Sequence, residues 1–438
     1  MEILKFDLSK EGKKFKILNA TNGGPWHKRY TNDQYRSNFE DYKAAKIPFS
    51  RNHDSGIHGI YGGPFSHDIS KIFRDFDADE TDPASYDFAC TDEAILTCLD
   101  AGTETFFRLG ETIEHQIKKH ATIPPKDFNK WARICEQIIR HYNEGWANGY
   151  KLNIQYWEIW NEPDLDPDGV TNRRTWGGNQ SLFFDFFEVA AKHLKTAFPH
   201  LKIGGPALAG RIEWGEDFIA EMHKRNVPLD FFSWHIYCQT PQEMVERAEI
   251  IKGFLNKYGY ENAESILNEW NYVKGWTDEF VYTIKSIHGI KGATFVMSCI
   301  NEAQQNSGID MLMYYDTRPS VFNGAFDFYT YEKLKGYYPL YWYGKFYDME
   351  KEIKSDNKID DIYSLCGVDK YGKAMAVVTY YKDDDCEKQS KSVYLDFGKE
   401  SFWEVYLLDK DHDGELIDTT SSTLLELYNY SSILIKEK

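Results

Sequence analysis

The stretch Trp157–Asp164, WEIWNEPD, decides how we interpret the fold of this chain. Residues 154–160 are rich in β-branched and aromatic side chains, which is typical of a buried strand. Pro163 then ends the strand, because proline has no backbone donor and restricts the residue before it. Glu162 therefore stands at the carboxyl end of an apolar strand, where α/β barrels carry their reactive groups. The aromatic surroundings predict a carboxyl group whose pKa is raised by loss of hydration, as a general acid requires.

A second stretch, Ser265–Asn271 (SILNEWN), repeats this arrangement, with an apolar run that ends in Asn-Glu beside a tryptophan. Glu162 and Glu269 are far apart in the sequence, so only the fold can bring them together. Retaining glycosidases use two carboxyl groups about 5–5.5 Å apart, one as acid/base and one as nucleophile. Either glutamate alone is explained equally well by a salt bridge at a strand end. Glu158 shares the side-chain parity of Glu162, but its deeper position predicts a buried, hydrogen-bonded barrel residue.

These segments resemble the clan A glycoside hydrolases. Within that clan the chain is similar to glycoside hydrolase family 39, which includes β-xylosidases and α-L-iduronidases. The resemblance covers most of the chain and extends to four further segments: Ser50–Asp54, Phe73–Phe88, Ser233–Tyr237 and Met313–Asp316. It implies that Glu162 is the acid/base at the end of the fourth barrel strand and Glu269 the nucleophile at the end of the seventh. The family usually has threonine before the nucleophile, where this chain has Asn268, which also forms hydrogen bonds.

Strand-like and helix-like segments alternate through most of the chain. The predicted strands are 16–23, 47–53, 104–109, 154–161, 202–206, 231–237, 265–270 and 309–315. The predicted helices are 32–46, 91–101, 128–144, 181–198, 216–226, 242–258, 279–306 and 331–347. Eight strand–helix units predict an α/β fold that closes into a (β/α)8 (TIM) barrel.

The pattern changes near residue 350. Residues 349–438 contain short strands with polar breaks and no long amphipathic helix, which predicts a small C-terminal β-sandwich domain. We assign residues 15–348 to the catalytic barrel. The family resemblance implies that residues 1–14 add a strand to the sandwich.

Further candidates for the site lie at the ends of the second and fourth strands. Arg51 is predicted to keep the nucleophile ionised through its charge and hydrogen bonds. An unrelated ion pair explains this arginine equally well from sequence alone, and the resemblance favours the functional role. Asn161 offers an amide to a sugar 2-hydroxyl, a contact that strengthens in the transition state. Asparagine is common before turns, so this assignment depends on its neighbour Glu162.

The predicted substrate-binding set is completed by three aromatic residues and two histidines. His235 and Tyr237 share parity at the end of the sixth strand and point to one side. Tyr237 is predicted to donate to the nucleophile, and His235 to bind or orient substrate. A core role is the alternative for both residues, and for His53 at the end of the second strand. Trp270 and Tyr315 are predicted to offer stacking faces to a sugar, although aromatic residues at a barrel mouth also serve as core.

Bulk composition restricts the partners. The 438 residues carry a net charge of −18, which argues against nucleic acid because its phosphates would be repelled. No apolar run reaches membrane length. Aromatic residues make up 16 % of the chain, which fits either a sugar-binding cleft or an aromatic core. The expected partner is an oligosaccharide or glycoside substrate, and the sequence leaves a homo-oligomer open.

No cofactor or metal is expected. The seven cysteines include no Cys-x-x-Cys pair and do not resemble a disulfide framework or a zinc cluster. The histidine pairs His53/His58 and His115/His120 are five residues apart and do not share a helical face. No glycine-rich nucleotide motif occurs. The first residues lack the basic and apolar regions of a signal peptide, which predicts a cytoplasmic protein with reduced thiols.

The sequence therefore predicts a retaining glycosidase that removes terminal β-linked sugars through a covalent glycosyl-enzyme intermediate. The resemblance implies an enzyme of β-xylosidase type, while glucosides, galactosides, arabinosides and uronides stay open as substrates. The alternative from another class is a carbohydrate-binding protein on a catalytically impaired barrel. The presence of both glutamates favours the enzyme, because binding alone needs no such pair.

Overall fold

The structure is a computed structural model that describes residues 2–25, 37–53, 66–306, 308–318 and 320–438. Asp54 of the second-strand motif, His58, and residues 32–36 of the predicted first helix lie outside the described residues. Every residue predicted for the site lies within them.

Eight parallel strands close a barrel in chain order, with the last strand paired to the first. A short strand, β1 (Glu2–Lys5), precedes them and does not belong to the barrel. The barrel strands are β2 (Ile17–Asn22), β3 (Phe49–Arg51), β4 (Glu104–Leu109), β5 (Tyr156–Ile159), β6 (Lys202–Leu208), β7 (Phe231–Cys238), β8 (Glu264–Tyr272) and β9 (Met311–Tyr314). The predicted (β/α)8 barrel is confirmed, and its strands overlap all eight predicted segments.

Helices follow the strands and cover the barrel. They are α1 (Phe39–Ala44), α2 (Ile69–Ile72), α3 (Ala89–Asp100), α4 (Phe128–Asn143), α5 (Gln180–Ala197), α6 (Ile212–Lys224), α7 (Pro241–Lys257), α8 (Phe280–His288), α9 (Ile290–Gln305) and α10 (Tyr337–Phe346). The prediction of one helix over 279–306 is wrong, because α8 and α9 are separate. Gly289 between them has extended backbone (φ −104°, ψ −174°), which interrupts the helical hydrogen bonds.

The barrel has two apolar layers, as alternation of side chains along its strands requires. One face of every barrel strand except β6 contributes to a small cluster inside the barrel, which includes Phe106, Phe231 and Ile266. The opposite face packs against the helices in a much larger cluster, where Phe107, Phe232 and Leu267 are buried. Side chains that continue the inner face above the inner cluster therefore point into the carboxyl-terminal mouth of the barrel.

The C-terminal strands form two sheets around a separate apolar core. They are β10 (Lys351–Glu352), β11 (Ile362–Val368), β12 (Ala374–Tyr380), β13 (Lys391–Asp396), β14 (Trp403–Leu408), β15 (Asp413–Thr420), β16 (Leu424–Leu427) and β17 (Ser431–Glu437). Six of them form one antiparallel sheet in the order β10-β11-β12-β17-β14-β15, and β1-β13-β16 form the other. The predicted C-terminal β domain is confirmed. Strand β1 pairs in parallel with β13, while the divisions after residues 14 and 348 stay predictions.

The helices give no indication of a membrane span. Within the described ranges, none is both long enough and apolar enough to cross a bilayer.

Candidate active site

Glu162 reaches the barrel mouth through an unusual backbone path after β5. Trp160 and Glu162 both adopt positive φ angles, 73° and 47°, which are uncommon for residues with a side chain. Such conformations cost about 1–3 kcal/mol each and persist when surrounding structure holds them. Here the Trp160 amide donates to the Leu109 carbonyl at 2.7 Å, and the Glu162 amide donates to the Ala207 carbonyl at 2.9 Å. Neighbouring strands on both sides therefore hold the turn that presents Glu162.

Glu269 reaches the same mouth through a bulge in β8. Trp234 of β7 lies opposite Leu267, whereas the next residue, His235, lies opposite Glu269. Asn268 is thus an extra residue in β8, and a bulge of this kind re-aims the side chains beside it. Strict alternation from the inward-facing Ile266 would point Glu269 outward. The bulge lets Asn268 and Glu269 both face the interior.

The two glutamates meet across a histidine. Nδ1 of His235 lies 2.8 Å from Oε1 of Glu162 and 3.6 Å from Oε2 of Glu269. One carboxyl oxygen of Glu162, one of Glu269 and a ring nitrogen of His235 all lie within 4.8 Å of one another. The two carboxyl groups thus approach more closely than the separation of about 6.5–9.5 Å in inverting glycosidases, and their proximity is compatible with the separation of about 5–5.5 Å in retaining ones.

Burial and neighbouring charges determine how these groups ionise. Burial raises the pKa of Glu269 to about 7, with His235 and Arg51 acting to lower it and Glu162 to raise it further. Burial lowers the pKa of His235, which favours the neutral imidazole. Burial beside Glu269 raises the pKa of Tyr237 well above its usual range, so its hydroxyl stays protonated. That hydroxyl donates to Oε1 of Glu269 at 2.5 Å.

Arg51 is fully buried and forms hydrogen bonds to β5, to the residue before Glu162, and to β8. Its Nη1 donates to Oε2 of Glu269 at 3.4 Å, and its Nη2 donates to Oδ1 of Asn161 at 2.6 Å. Its Nε donates to Oε2 of Glu158 at 2.7 Å. The buried, hydrogen-bonded position predicted for Glu158 is therefore observed. The positive charge beside Glu269 favours the carboxylate that a nucleophile requires.

Two polar atoms around the glutamates are available to a ligand. Nδ2 of Asn161 and Nε2 of His235 are buried and have no hydrogen-bond partner among the residues that the structure describes. A buried polar group without a partner is costly, so a substrate hydroxyl that bonds to either atom would be stabilised. Asn161 follows β5 directly, and its amide plane is held by Arg51 through Oδ1.

His53 and Tyr315 also lie near this cluster. His53 is buried, and burial together with the charge of Arg51 lowers its pKa well below the usual value, which favours a neutral ring. Tyr315 packs edge-on to the Tyr237 ring at 6.4 Å, and its hydroxyl accepts from Nη2 of Arg318 at 2.9 Å. The structure thus brings six of the seven predicted substrate-binding residues together around the two glutamates. Their roles stay predictions.

Trp270 is the exception, and its prediction is corrected. Its side chain is only 1 % exposed and packs between the barrel and the helices, against Phe295 of α9 and Tyr314 of β9. Because Glu269 faces inward, the next residue along the strand faces outward. Trp270 therefore offers no stacking face to a ligand in the barrel mouth.

Two aromatic residues that the sequence analysis missed, Trp276 and Phe322, pack beside the predicted Tyr237 and Tyr315. Trp276, four residues after the end of β8, is 56 % exposed and packs edge-on to Tyr237 at 5.0 Å. Phe322 lies 5.6 Å from Trp276 and 6.0 Å from Tyr315. We call these four residues the aromatic wall. The position of Trp276 in the loop after β8 could have indicated a place at the site, because loops after barrel strands line the barrel mouth. Only the fold brings Phe322 next to Trp276.

Glu162, His235 and Glu269 also have the composition of a metal ligand set. Glu269, however, already accepts from the guanidinium of Arg51 and the hydroxyl of Tyr237. A fixed positive charge at the same carboxylate opposes a bound cation. We therefore do not interpret these three residues as a metal site.

Comparison with known proteins agrees with this geometry. A model of the glycosyl hydrolases family 39 matches residues 9–272, more than half of the chain. The chain belongs to this family. The resemblance inferred from the sequence motifs is therefore confirmed, and the matched residues contain both glutamates, whereas Trp276, Tyr315 and the C-terminal sheets lie outside them.

Two of the curated relatives in this comparison are β-xylosidases, and a third, 27 % identical over 116 residues, is an α-1,4-L-rhamnosidase from Formosa agariphila. The chain is 25 % identical to a β-xylosidase from Geobacillus stearothermophilus over 244 residues, which cover 49 % of this chain and 47 % of the relative. It is 28 % identical to one from Caldicellulosiruptor saccharolyticus over 187 residues, which cover 40 % of this chain and 36 % of the relative. The chain thus aligns with less than half the length of either relative.

Solved structures of family 39 and related enzymes share the whole architecture. A glucosidase from Croceicoccus marinus superposes with a TM-score of 0.79 at 20 % identity and covers 100 % of this chain and 98 % of its own. A monomeric β-xylosidase from Caulobacter crescentus gives a TM-score of 0.68 at 14 % identity, with 100 % and 99 % covered. At these identities the likeness supports the fold alone.

Proposed function

We propose that this protein is a retaining glycosidase that removes terminal β-linked sugars, with β-xylosides as its preferred substrates. The observation that carries the proposal is the close approach of Glu162 and Glu269 at the barrel mouth, with Arg51 and Tyr237 both donating to Glu269. The names of two of the curated relatives, both β-xylosidases, support xylose as the terminal sugar.

In the proposed reaction, Glu269 attacks the anomeric carbon as a carboxylate while Glu162 gives its proton to the departing glycosidic oxygen. A covalent glycosyl-enzyme forms on Glu269, and its negative charge is lost. Glu162, now ionised, removes a proton from the water that attacks the same carbon, which releases the sugar with its original configuration. Asn161 and His235 are proposed to bind sugar hydroxyls through their unpartnered nitrogens.

We also propose a reducing compartment for this protein. All seven cysteines lie within the described residues and are unpaired, and five of them are buried. A cytoplasmic protein keeps thiols in this state.

A panel of p-nitrophenyl glycosides tests the activity. We expect the β-xyloside to be hydrolysed faster than the β-glucoside, β-galactoside, α-arabinofuranoside and β-glucuronide. Proton NMR of the reaction should show β-xylose as the first product, before mutarotation. Protein carrying Glu269→Gln, purified in parallel, controls for contaminating activity. First release of the α-anomer would contradict retention. Inertness toward the whole panel, with a monosaccharide bound, would favour the carbohydrate-binding alternative.

Trp276 is proposed to stack against the substrate. Exposure of so large an apolar ring beside the site is unfavourable without a ligand, and the C–H faces of sugars cover such rings. Trp276→Ala is expected to raise KM for the best glycoside about tenfold while kcat changes less than about twofold, equivalent to a loss of about 1.4 kcal/mol of binding. Phe402→Ala removes a ring that is 62 % exposed at the start of β14 and serves as the matched control. Equal KM values in both variants would exclude the stacking role.

A further inference from the structure

Glu158 lies below the catalytic glutamates and is fully buried. It uses both carboxyl oxygens, because Oε2 accepts from Nε of Arg51 at 2.7 Å and Oε1 accepts from Nδ2 of Asn268 at 2.5 Å. A buried charge of this kind persists only when it is paired and hydrogen-bonded. Glu158 therefore links Arg51, which lies beside Glu269, to Asn268, the bulge residue that precedes Glu269.

Asn268 is held independently of this contact. Its backbone carbonyl accepts from Nδ2 of Asn22 at 2.8 Å. Among the described residues its side-chain Oδ1 is buried without a hydrogen-bond partner, and its amide donates to Glu158. That donation is the one hydrogen bond of the Asn268 side chain within the described part of the chain.

Arg51 consequently stands between two carboxylates, Glu158 through Nε and Glu269 through Nη1. Its position does not depend on Glu158 alone, because Asn22 accepts from Nη1 at 3.1 Å and Asn161 accepts from Nη2 at 2.6 Å. A guanidinium that already faces one carboxylate attracts a second one less strongly than an unpaired guanidinium would.

We propose that Glu158, held by Asn268, is a positioning residue that offsets part of the Arg51 charge and so sets the basicity of Glu269. The groups that face Glu269 directly are His235 and Tyr237 on β7, Glu162 after β5, and Arg51 on β3. Glu158 acts on Glu269 through Arg51. The inference rests on the proposed function, because it treats Glu269 as the nucleophile.

Two isosteric substitutions, alone and combined, test this charge balance. Glu158→Gln removes a negative charge and keeps the shape, and the pKa of Glu269 should fall by about one unit. Asn268→Asp places a second carboxyl group against Oε1 of Glu158, and two buried carboxyl groups in contact hold one proton between them. The pKa of Glu269 should therefore stay close to its wild-type value in Asn268→Asp. The double variant Glu158→Gln/Asn268→Asp restores one negative charge at this place and should return the pKa close to its wild-type value.

The measurement is a carbon-13 NMR titration of the Glu269 carboxyl group in protein with labelled glutamate, assigned by its loss in Glu269→Gln. It needs no substrate, so a protein that is inert toward every glycoside still gives the result, and failure of the proposed function remains distinguishable. Where a glycoside is hydrolysed, the acid limb of kcat/KM should move with the titration. Glu264→Gln, which removes the same charge from the start of β8, should leave the pKa of Glu269 unchanged.

A lowered pKa in Glu158→Gln that returns in the double variant supports the proposal, because a second substitution does not restore lost packing. No shift in folded Glu158→Gln, or a shift that the double variant retains, would overturn it. Thermal unfolding establishes that each variant is folded. If Glu158→Gln does not fold, Glu158→Asp decides, because it keeps the charge and withdraws it from Arg51 by one methylene, which should lower the pKa of Glu269 by a smaller amount. An unchanged or raised pKa of Glu269 in that variant contradicts the proposal.

Discussion

Glu269→Gln is expected to lower kcat by about 10⁵-fold or more on any glycoside that the wild-type protein hydrolyses. An amide cannot form the covalent intermediate, so the whole two-step route is lost. The substitution keeps the size of the side chain and an oxygen for the Tyr237 hydroxyl, so the fold should be preserved. The measurements are single-turnover and steady-state kinetics, together with thermal unfolding.

Glu264→Gln is the matched control for this result, since it removes a glutamate at the opposite end of β8, where Tyr156 and Lys202 contact it. Its turnover should stay close to that of the wild type. In Glu269→Ala, which leaves space at the site, added azide should give a glycosyl azide of inverted configuration. Turnover like that of the wild type in Glu269→Gln would place the nucleophile elsewhere.

Glu162→Ala is expected to slow glycosides with poor leaving groups by about 10³-fold and to leave activated aryl glycosides within about tenfold in the first step. Activated phenolates depart without a proton, whereas a sugar or alkyl leaving group needs one. The rates of glycosylation across a series of leaving groups should therefore depend much more steeply on leaving-group pKa in the variant. Added azide should give a product of retained configuration, because Glu269 is intact. Equal losses across the series would remove Glu162 from the acid role.

The pH dependence of kcat/KM tests the interaction between Glu162 and Glu269 independently. Glu269 must be ionised to attack, and its pKa of about 7 predicts that kcat/KM falls as the pH drops below neutrality. The neighbouring Glu162 acts to raise that pKa. Glu162→Gln should therefore move the acid limb to lower pH on an activated aryl glycoside and remove the alkaline limb. An acid limb that does not move would show that the two carboxyl groups do not interact.

Much of the fold could be predicted from local patterns. Each barrel strand is a short apolar run beside a helix-length amphipathic segment, and this alternation is a local property of the chain. The one long helix that the sequence analysis placed over 279–306 was wrong because it continued through Gly289, a residue of low helix propensity whose extended backbone separates α8 from α9.

The candidate site could be predicted in composition but not in arrangement. Local motifs drew attention to Glu162, Glu269, His235 and Tyr237, since each stands at the end of an apolar strand. The role assigned to Trp270 was wrong because the bulge at Asn268 turns Glu269 inward and therefore the next residue outward. The contacts of Asn268 with Glu158 and of Phe322 with Trp276 join parts of the chain that no local pattern relates.

The sequence by itself determined the number and order of the barrel strands and which residue types stand at their carboxyl ends. Side-chain periodicity and turn chemistry act over a few residues, so they can be recognised without the fold. Only the tertiary structure decided that Glu269 faces inward and Trp270 outward, because one extra residue in β8 changes the register with β7. It also decided the charge environment of the nucleophile, because Arg51, Glu158 and His235 come from three strands that meet only when the barrel closes.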